Sequence, residues 1–553
     1  MKTKRMLCLL VSLTLIAGLT ACGGGGGGGG GAGGATFTSF IQDEPSTLDA
    51  SKCNDLYGDA ILVNVLEPLV RLEEDANGNN VAVGAGAESW EPNADGSVWT
   101  FHLRDNKWSD GQPVTAEQYV YGIQRLLDPQ VGSPTSFLLV DCVKNGNAVN
   151  KGEMAVSELG AKAIDEKTLE VTLEGPTPYF LALTYSKAMY PVRQDVVEAQ
   201  GDTYGANAEG MVFNGPFTVT SWVHNSEIIL TKNENYWDKD NVALQTVDFK
   251  ILTDENARYN SFENGSLETV NVGQPEWIDR FNQKNDVTFT QYVVPAIRFQ
   301  LYNTQDAIFQ NEKIRKAFTL AIDRDDVVET IYHGTMIGAY GWVPQGVASG
   351  SISDYTAGAP EPLKDLISEN GDPKALLLEG MAELGLGSDP SALDITFTFG
   401  ATTQWIRNYG EYLQQVYKNV LGLQIDLEFN EWGTYQSKIN SGDYQVGYMT
   451  WSIDYNDPMG MLSLMVTGAG AIPTGWSNAE YDALIAQAST EMDDAKRQEL
   501  YQKAEYILIH DDGVLCPIVN EMVNRFNYNK IQGMCTNYFS TNSSGLKHVS
   551  IAE

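Results

Sequence analysis

The chain has 553 residues, and its 72 acidic and 36 basic side chains give it a formal net charge of −36 at pH 7. This excess of negative charge repels phosphate backbones and anionic membrane surfaces, so it argues against nucleic acid as a partner and against polyanionic ligands. Hydrophobic residues make up 43% of the chain, which is enough apolar material for two or three domains with their own cores.

The N-terminus has the pattern of an export signal. Basic residues at positions 2, 4 and 5 precede a mostly apolar stretch at residues 6–19, which is shorter than the roughly 20 residues that a membrane-spanning helix needs. We therefore predict a signal peptide over residues 1–21. The sequence LTAC that ends at Cys22 resembles the lipobox of bacterial lipoproteins, which implies cleavage before Cys22 and lipidation of it. An ordinary signal peptide with Cys22 as a bystander is the alternative.

A glycine-rich run follows Cys22. Such a run cannot bury apolar surface or sustain a helix, so residues 22–35 are predicted to be a flexible tether between the lipidated cysteine and a folded body. The lipid would then anchor the protein to the membrane, at the outer face of the cell membrane, or in the periplasm of a Gram-negative cell.

Strand patterns recur along the folded body. Apolar residues alternate with polar ones in four segments, which predicts half-buried strands at residues 99–103, 169–173, 395–399 and 425–429. Helix patterns lie between these strands. Strands separated by helices indicate α/β domains with largely parallel or mixed sheets.

The helix patterns have recognisable faces and starts. Apolar residues at helical spacing predict amphipathic helices at residues 314–322 and 413–421. Thr115 is followed three residues later by glutamine, and Ser477 by glutamate. Both pairs predict a capping box at the start of a helix.

Four cysteines remain after the signal segment and the predicted anchor: Cys53, Cys142, Cys516 and Cys535. An even number in an oxidising compartment permits two disulfides, in any of three pairings that the sequence leaves open. Their spacings match no zinc module, and the five histidines are scattered without a ligand pair. We therefore predict no metal site and no cofactor.

The folded body lacks the signatures of common enzymes. It contains no G-x-S-x-G turn, Walker loop, G-x-G-x-x-G loop or H-E-x-x-H motif. No pair of carboxylates among the 72 acids stands out as the pair of a glycosidase. We therefore predict that the protein is not an enzyme, with a secreted hydrolase as the remote alternative.

Aromatic and acidic residues concentrate in the last third of the chain, at Trp432, Tyr435, Tyr444, Tyr448, Trp451, Asp454, Tyr455 and Asp457. A strand predicted at residues 444–450 leads into the loop that carries Asp454. A strand end that opens into a loop is well placed to face a cleft between domains. There the Asp454 carboxylate would pair with a ligand ammonium, and the aromatic rings would supply apolar walls. Packing of these residues in a core is the alternative.

A series of landmark segments runs in order from about residue 42 to about residue 527. They are EPSTLD at 44–49, LEPLV at 66–70, AESW at 87–90, WTFHLR at 99–104, WSDGQPVTA at 108–116, NGPF at 214–217, NENYW at 233–237, YNT at 302–304, IRKA at 314–317 and AIDR at 321–324. Together they resemble the family 5 extracellular solute-binding proteins of ABC importers, specifically the oligopeptide-binding branch. Most of these segments are fold markers rather than ligand contacts.

This resemblance implies an α/β fold of the type II periplasmic-binding-protein kind. Two lobes with an extra inserted domain would enclose the ligand in the cleft between the lobes by hinge closure. The implied domains are a discontinuous domain I at residues 36–66, 191–297 and 521–553, an inserted domain II at 67–190, and a domain III at 298–520.

The resemblance also implies ligand-binding residues. The W-x-x-D-Y motif of the family runs from Trp451 to Tyr455 here, and its carboxylate, Asp454, is implied to anchor the α-ammonium of a peptide. Trp451 and Trp432 match positions that line side-chain pockets. The residues predicted to bind ligand are therefore Asp454, Trp451, Tyr455, Trp432, Tyr448 and Trp405. Trp405, Ile439 and Tyr448 stand where relatives that close on short peptides carry basic residues, so recognition of the carboxyl end of the ligand is expected to differ.

The sequence and the resemblance together predict an extracytoplasmic lipoprotein that captures oligopeptides and delivers them to the permease and ATPase of an ABC importer. A monomer is expected. Within the same family, a receptor for a dipeptide, a nickel chelate or an oligosaccharide is the alternative. A signalling or adhesion lipoprotein that keeps the fold without transport is a further one.

Overall fold

A computed structural model describes residues 35–74, 80–534, 539 and 545–552. The predicted signal peptide, the predicted lipidation site Cys22, residues 22–34 of the predicted tether, and Cys535 lie outside the described residues. Residues Ala35–Glu553 group into a single unit by their contacts. None of the helices in the described part of the chain is long and apolar enough to cross a membrane.

The strands carry the architecture of this unit. In chain order they are β1 (Thr36–Ile41), β2 (Val70–Glu74), β3 (Asn80–Gly84), β4 (Ala87–Pro92), β5 (Val98–Leu103), β6 (Ala161–Asp165), β7 (Thr168–Thr172), β8 (Phe217–Val223), β9 (Glu227–Lys232), β10 (Thr246–Ile251), β11 (Thr269–Asn271), β12 (Val287–Tyr302), β13 (Ile337–Gly338), β14 (Thr396–Phe399), β15 (Asp426–Phe429), β16 (Val446–Ser452), β17 (Leu515–Tyr528), β18 (Ile531–Gln532) and β19 (Ser550–Ile551).

Helices connect these strands. They are α1 (Leu56–Val65), α2 (Ala116–Leu127), α3 (Gly146–Asn150), α4 (Phe180–Leu183), α5 (Gln194–Gln200), α6 (Glu255–Glu263), α7 (Pro275–Asn282), α8 (Glu312–Leu320), α9 (Arg324–Thr330), α10 (Pro362–Glu369), α11 (Pro373–Glu383), α12 (Gln404–Val420), α13 (Trp432–Ser441), α14 (Met459–Leu462), α15 (Ala479–Ala488) and α16 (Asp494–Tyr506). A short 3₁₀ helix at Lys187–Met189 also matters for the site.

Two four-stranded sheets are built from the first half of the chain. One has the order β1-β10-β9-β8, and the other has the order β4-β5-β7-β6. In the first sheet β1 is parallel to β10, with Phe37 opposite Val247. The pairing therefore joins the start of the folded body to strands that follow some 200 residues later in the sequence.

A larger mixed sheet has the order β11-β17-β12-β16-β14-β15, with β13 also paired to β17. Its centre is the antiparallel pair of the long strands β12 and β17, interrupted by bulges between Val293 and Ile297 and between Arg298 and Phe299. On the other side of β12, β16 runs antiparallel to it and parallel to β14. Because β12 and β16 are adjacent, the loop after β16 emerges beside the bulged part of β12.

The predicted strands are confirmed by β5, β7, β14 and β15. In β5 the side chains of Trp99, Phe101 and Leu103 are buried, as the alternation requires. The strand predicted at 444–450 is instead Val446–Ser452, because the ladder to β12 continues as far as the pair Ser452 and Ala296. The predicted helices correspond to α8 and α12, although α8 ends at Leu320, before the last predicted residues.

One of the two predicted capping boxes is wrong. The box at Thr115 is present, and the Gln118 side chain accepts a hydrogen bond from the Thr115 backbone N–H at 2.9 Å. At α15 the N-cap is Asn478 rather than Ser477, and its side chain accepts from the N–H groups of Glu480 and Tyr481 at 2.9 and 3.1 Å. Asparagine caps a helix as well as serine does, so residue type alone does not decide whether Ser477 or Asn478 is the N-cap.

The two disulfides that the cysteine count permitted do not form. Cys53, Cys142 and Cys516 are all free and buried. With three of the four cysteines free, Cys535 has no partner among them for a disulfide. Each thiol has its own packing environment: Cys516 accepts a hydrogen bond from Arg324 at 3.2 Å. The three described cysteines therefore pack as small apolar side chains, as free cysteine commonly does.

Candidate functional site

A cavity of about 430 Å³ lies where several chain segments converge. Its wall combines residues of β1, α1 and the turn at Lys187–Met189 with residues of β12, β17 and the end of β16. The wall is mixed in character, because it contains aliphatic and aromatic side chains as well as charged ones. This volume falls in the range of pockets that hold small ligands, roughly 300–1,000 Å³.

Asp454 enters this cavity from the loop after β16. The loop leaves the sheet in a fixed direction because the Ile453 N–H donates to the Pro295 carbonyl at 3.0 Å. The Oδ2 atom of Asp454 is buried and has no hydrogen-bond partner among the described residues. Burial raises the pKa of the carboxyl to about 6, against a smaller opposing effect of Lys187. Asp454 is half-buried, and a buried carboxylate oxygen without a partner is costly, which suits this side chain to receive a cationic group.

Lys187 and Asp59 line the same cavity and form an ion pair. The Lys187 ammonium donates to both carboxylate oxygens of Asp59, at 3.0 and 2.8 Å. Asp59 lies in the first turn of α1, whose N-cap Asp55 accepts from the Gly58 N–H at 2.7 Å. Burial raises the pKa of Asp59, and the attraction of Lys187 opposes this rise.

The loop that carries Asp454 is fastened to its surroundings on both sides. The Asn456 N–H donates to the Tyr185 hydroxyl at 3.1 Å, and the Asn456 side-chain oxygen accepts from the Ala348 N–H at 2.7 Å. Asp457 accepts hydrogen bonds from the Met459 N–H at 3.0 Å and from the Tyr501 hydroxyl at 2.8 Å. Asp454 is therefore held by a rigid loop rather than by its own contacts.

Three of the predicted aromatic residues, Tyr455, Trp451 and Trp432, do not line the cavity. Tyr455 is buried and stacks on Tyr179, with ring centroids 5.6 Å apart. Trp451 lies in β16 opposite Ile297. Trp432 begins α13 and is 51% exposed. The structure thus places Tyr455 in the Asp454 loop with its ring packed on Tyr179, and Trp432 at the surface.

Trp405 and Tyr448 belong to a second cluster, which contains a charged group. The Arg298 guanidinium carbon lies 5.1 Å from the centre of the Trp405 ring and 5.4 Å from that of Tyr332. Tyr448 is buried, and its hydroxyl is 3.1 Å from that of Tyr332. Arg298 donates from Nε to Glu521 at 2.7 Å, and Glu521 lines the cavity. This cluster therefore borders the cavity through its ion pair.

Of the six residues predicted to contact ligand, Asp454 lines the cavity as described. Five charged residues at or beside the cavity have no signal in the sequence: Asp59, Lys187, Arg298, Glu521 and Arg525. Their partners are distant in the chain, for example 128 residues apart for Lys187 and Asp59. Local spacing carries no signal of such pairs. Among the described residues, no group of three or more histidine, cysteine or acidic side chains is arranged to hold a metal ion.

Comparison with known proteins places the chain among receptors for solutes. A family model described as bacterial extracellular solute-binding proteins, family 5 Middle, matches residues 82–472. The chain is 33% identical to the dipeptide-binding protein DppE of Bacillus subtilis over 82% of this chain and 81% of that protein. It is 32% identical to the oligopeptide-binding protein OppA of Bacillus subtilis over 90% and 91%, respectively. The structure of Listeria monocytogenes OppA bound to peptide matches with a TM-score of 0.79 and 28% identity, covering 94% of this chain and all of that chain.

Proposed function

Because this chain belongs to family 5 of the bacterial extracellular solute-binding proteins, we propose that it captures peptides outside the cytoplasm and delivers them to the permease of an ABC importer. The same relatives confirm the predicted fold class, an α/β fold of the type II periplasmic-binding-protein kind. The observation that carries the proposal for this chain is Asp454, which lines the cavity and whose buried Oδ2 has no hydrogen-bond partner among the described residues.

The chemistry of a peptide fits this cavity. Every peptide with a free amino end presents an ammonium, and an ammonium satisfies a buried carboxylate whatever the peptide sequence is. In this proposal Asp454 binds the α-ammonium, and the mixed apolar and polar wall accommodates side chains of different kinds, with water bridging polar groups that are left unmet. The predicted contacts of Trp451, Tyr455, Trp432, Tyr448 and Trp405 with ligand remain predictions.

The finer features of the proposal concern location and assembly. We place the mature protein at the outer face of the cell membrane, anchored through lipid on Cys22 and able to move on the glycine tether. It would act there as a monomer without a catalytic role. The predicted domain boundaries at residues 66/67, 190/191, 297/298 and 520/521 belong to the same proposal.

The proposal is tested by calorimetric titration of the purified chain with a mixture of tripeptides to pentapeptides, in free-amine and N-acetylated form. We expect the acetylated mixture to bind more weakly by about 2–5 kcal/mol, because acetylation leaves the Asp454 carboxylate buried and unpaired. Equal affinity for the two mixtures would contradict the amino-end anchor. Hydrolysis of the peptides during the titration would instead indicate the secreted hydrolase.

The length of the ligand is a separate question, because one relative is a dipeptide-binding protein and another an oligopeptide-binding protein. Mass spectrometry of ligand that copurifies with the chain distinguishes the two. We expect oligopeptides, since the oligopeptide-binding relative matches 90% of this chain and the dipeptide-binding relative 82%. Dipeptides alone in the bound fraction would favour the alternative.

The binding of free-amine peptides is expected to weaken about tenfold between pH 7 and pH 5. The pKa of Asp454 is raised to about 6 in the ligand-free protein, and only its ionised form pairs with an ammonium. The amino group of the peptide has an ordinary pKa of about 8 and stays protonated as the pH falls. Calorimetry at the two pH values checks this result, and the same titration of Asp454→Asn should show little pH dependence.

A further inference from the structure

The cavity already contains an ammonium of its own. Asp59, Lys187 and Asp454 all line it, yet only two of the three are paired. Lys187 makes two hydrogen bonds to Asp59, at 3.0 and 2.8 Å. Asp454 forms no ion pair with a described residue, and its Oδ2 has no hydrogen-bond partner there. One ammonium thus has two carboxylates available and is bound by one of them.

Lys187 is held close to the loop that carries Asp454. Tyr185, two residues before Lys187, accepts a hydrogen bond from the Asn456 N–H at 3.1 Å, and Asn456 is two residues after Asp454. The Lys187 side chain is only 14% exposed, and its stem is long and flexible. Lys187 is also the main charge that lowers the pKa of Asp454. The two side chains therefore attract each other within one enclosed space.

A cation tethered in this way is a strong competitor for a ligand. Intramolecular tethering gives a group an effective concentration of the order of millimolar or higher, which exceeds the concentration of a scarce solute. If Lys187 paired with Asp454, the carboxylate would be neutralised before a peptide arrived. The geometry that prevents this is the two-oxygen contact with Asp59.

We propose that Asp59 is a positioning residue that holds the Lys187 ammonium away from Asp454 and so keeps the Asp454 carboxylate open for the ammonium of a ligand. This inference rests on the proposed function, in which Asp454 receives that ammonium. Asp59 is suited to the task because α1 fixes its backbone through the cap at Asp55, and the Cys53 thiol lies 3.6 Å from its Oδ1. The competing explanation is that Asp59, which also lines the cavity, binds the ligand itself.

Three variants separate these explanations: Asp59→Asn, Lys187→Met, and the two changes combined. Each is titrated with the mixture of free-amine tripeptides to pentapeptides. We expect Asp59→Asn to weaken binding about tenfold or more, because the freed Lys187 occupies Asp454. Lys187→Met supplies the remaining corner of the double-mutant cycle, and the double variant should recover most of the affinity lost in Asp59→Asn, because no competing ammonium remains.

Two results of the titrations would overturn the inference. Unchanged affinity in Asp59→Asn would show that Lys187 needs no restraint. A double variant as weak as Asp59→Asn would show that Asp59 contacts the ligand or shapes the cavity. Thermal unfolding of each variant confirms that a weak binder is folded.

A second readout needs no peptide. In protein labelled with ¹³C at the aspartate carboxyl, the signal of Asp454, assigned by its loss in Asp454→Asn, is titrated with pH. We expect the pKa of Asp454 to fall by about one unit or more in Asp59→Asn, because an ammonium then lies beside it and the repulsion from Asp59 is lost. In the double variant the pKa should rise again, because the ammonium is absent. An unshifted pKa of Asp454 in Asp59→Asn would reject the inference, even if the chain bound no peptide. Failure of the proposed function would appear differently, as equal binding of free-amine and acetylated peptides by the unaltered protein.

Discussion

Replacing Asp454 with asparagine is expected to weaken the binding of free-amine peptides by about 2–5 kcal/mol, which is roughly 30-fold or more in the dissociation constant. Asparagine has nearly the same size and leaves the loop in place, since Asn456 and Asp457 rather than Asp454 make the hydrogen bonds that fasten it. The loss therefore comes from the charge. In the variant the ammonium of the peptide would be buried without a counter-ion.

Two comparisons make this expectation specific. The matched control is Asp443→Asn, which makes the same change before the other end of β16, where the side chain is 75% exposed and paired with Lys438. We expect that variant to bind peptides like the unaltered protein, because exposed ion pairs contribute little. N-acetylated peptides should bind Asp454→Asn and the unaltered protein with similar affinity. A large loss in Asp443→Asn, or none in Asp454→Asn, would contradict the assignment of the anchor.

The parts of the fold that could be predicted are those set by local pattern. The alternation at residues 99–103 required a strand with Trp99, Phe101 and Leu103 on one side, and these side chains are buried in β5. The cap at α15 was misplaced by one residue, because Ser477 and Asn478 are both good caps and local sequence does not decide between them. The order of the strands in the sheets could not be predicted from local pattern, because β12 pairs with β17 across more than 200 residues.

Of the candidate site, too, only the part that is marked by a local sequence pattern could be predicted. Asp454 could be predicted as a candidate because it lies in a short motif at the end of a strand, and in the structure this residue lines the cavity. Asp59 and Lys187 could not, because each is an ordinary charged residue until the fold brings them within 2.8 Å of each other. The aromatic residues near Asp454 gave a weaker signal. Tyr455 stacks on Tyr179, which supports the loop by packing and is the structural role that aromatic residues most often have.

The carboxylate of Asp454, which we propose binds an ammonium, also has a cost for folding. The pKa of Asp454 in the folded chain, about 6, lies above the value of about 3.9 for an unfolded aspartate. The folded state therefore binds the proton more tightly than the unfolded state does. This group adds stability as the pH falls from about 7 toward 4, and it lowers stability at neutral pH, where the carboxylate is ionised and buried.

The Asp454→Asn variant, which is expected to bind peptides poorly, should therefore be more stable than the unaltered protein. We expect Asp454→Asn to raise the free energy of unfolding of the ligand-free chain at pH 7.5 by about 1–3 kcal/mol, which corresponds to about 1–3 °C in Tm for a chain of this size. Asparagine cannot ionise, so the variant avoids the burial of a charge. At pH 4 the difference should shrink toward zero, because the folded carboxyl of the unaltered protein is then protonated.

Differential scanning calorimetry of the two proteins at pH 7.5 and pH 4 measures this difference directly. Burial raises the pKa of Asp59, Asp457 and Glu505 as well, so the pH profile of either protein alone mixes several groups, whereas the difference between the two proteins isolates Asp454. A lower Tm for Asp454→Asn at pH 7.5 would mean that the carboxylate has a stabilising partner in the folded chain. A higher Tm together with lost peptide binding would show that the carboxylate is maintained for its ligand at the expense of stability.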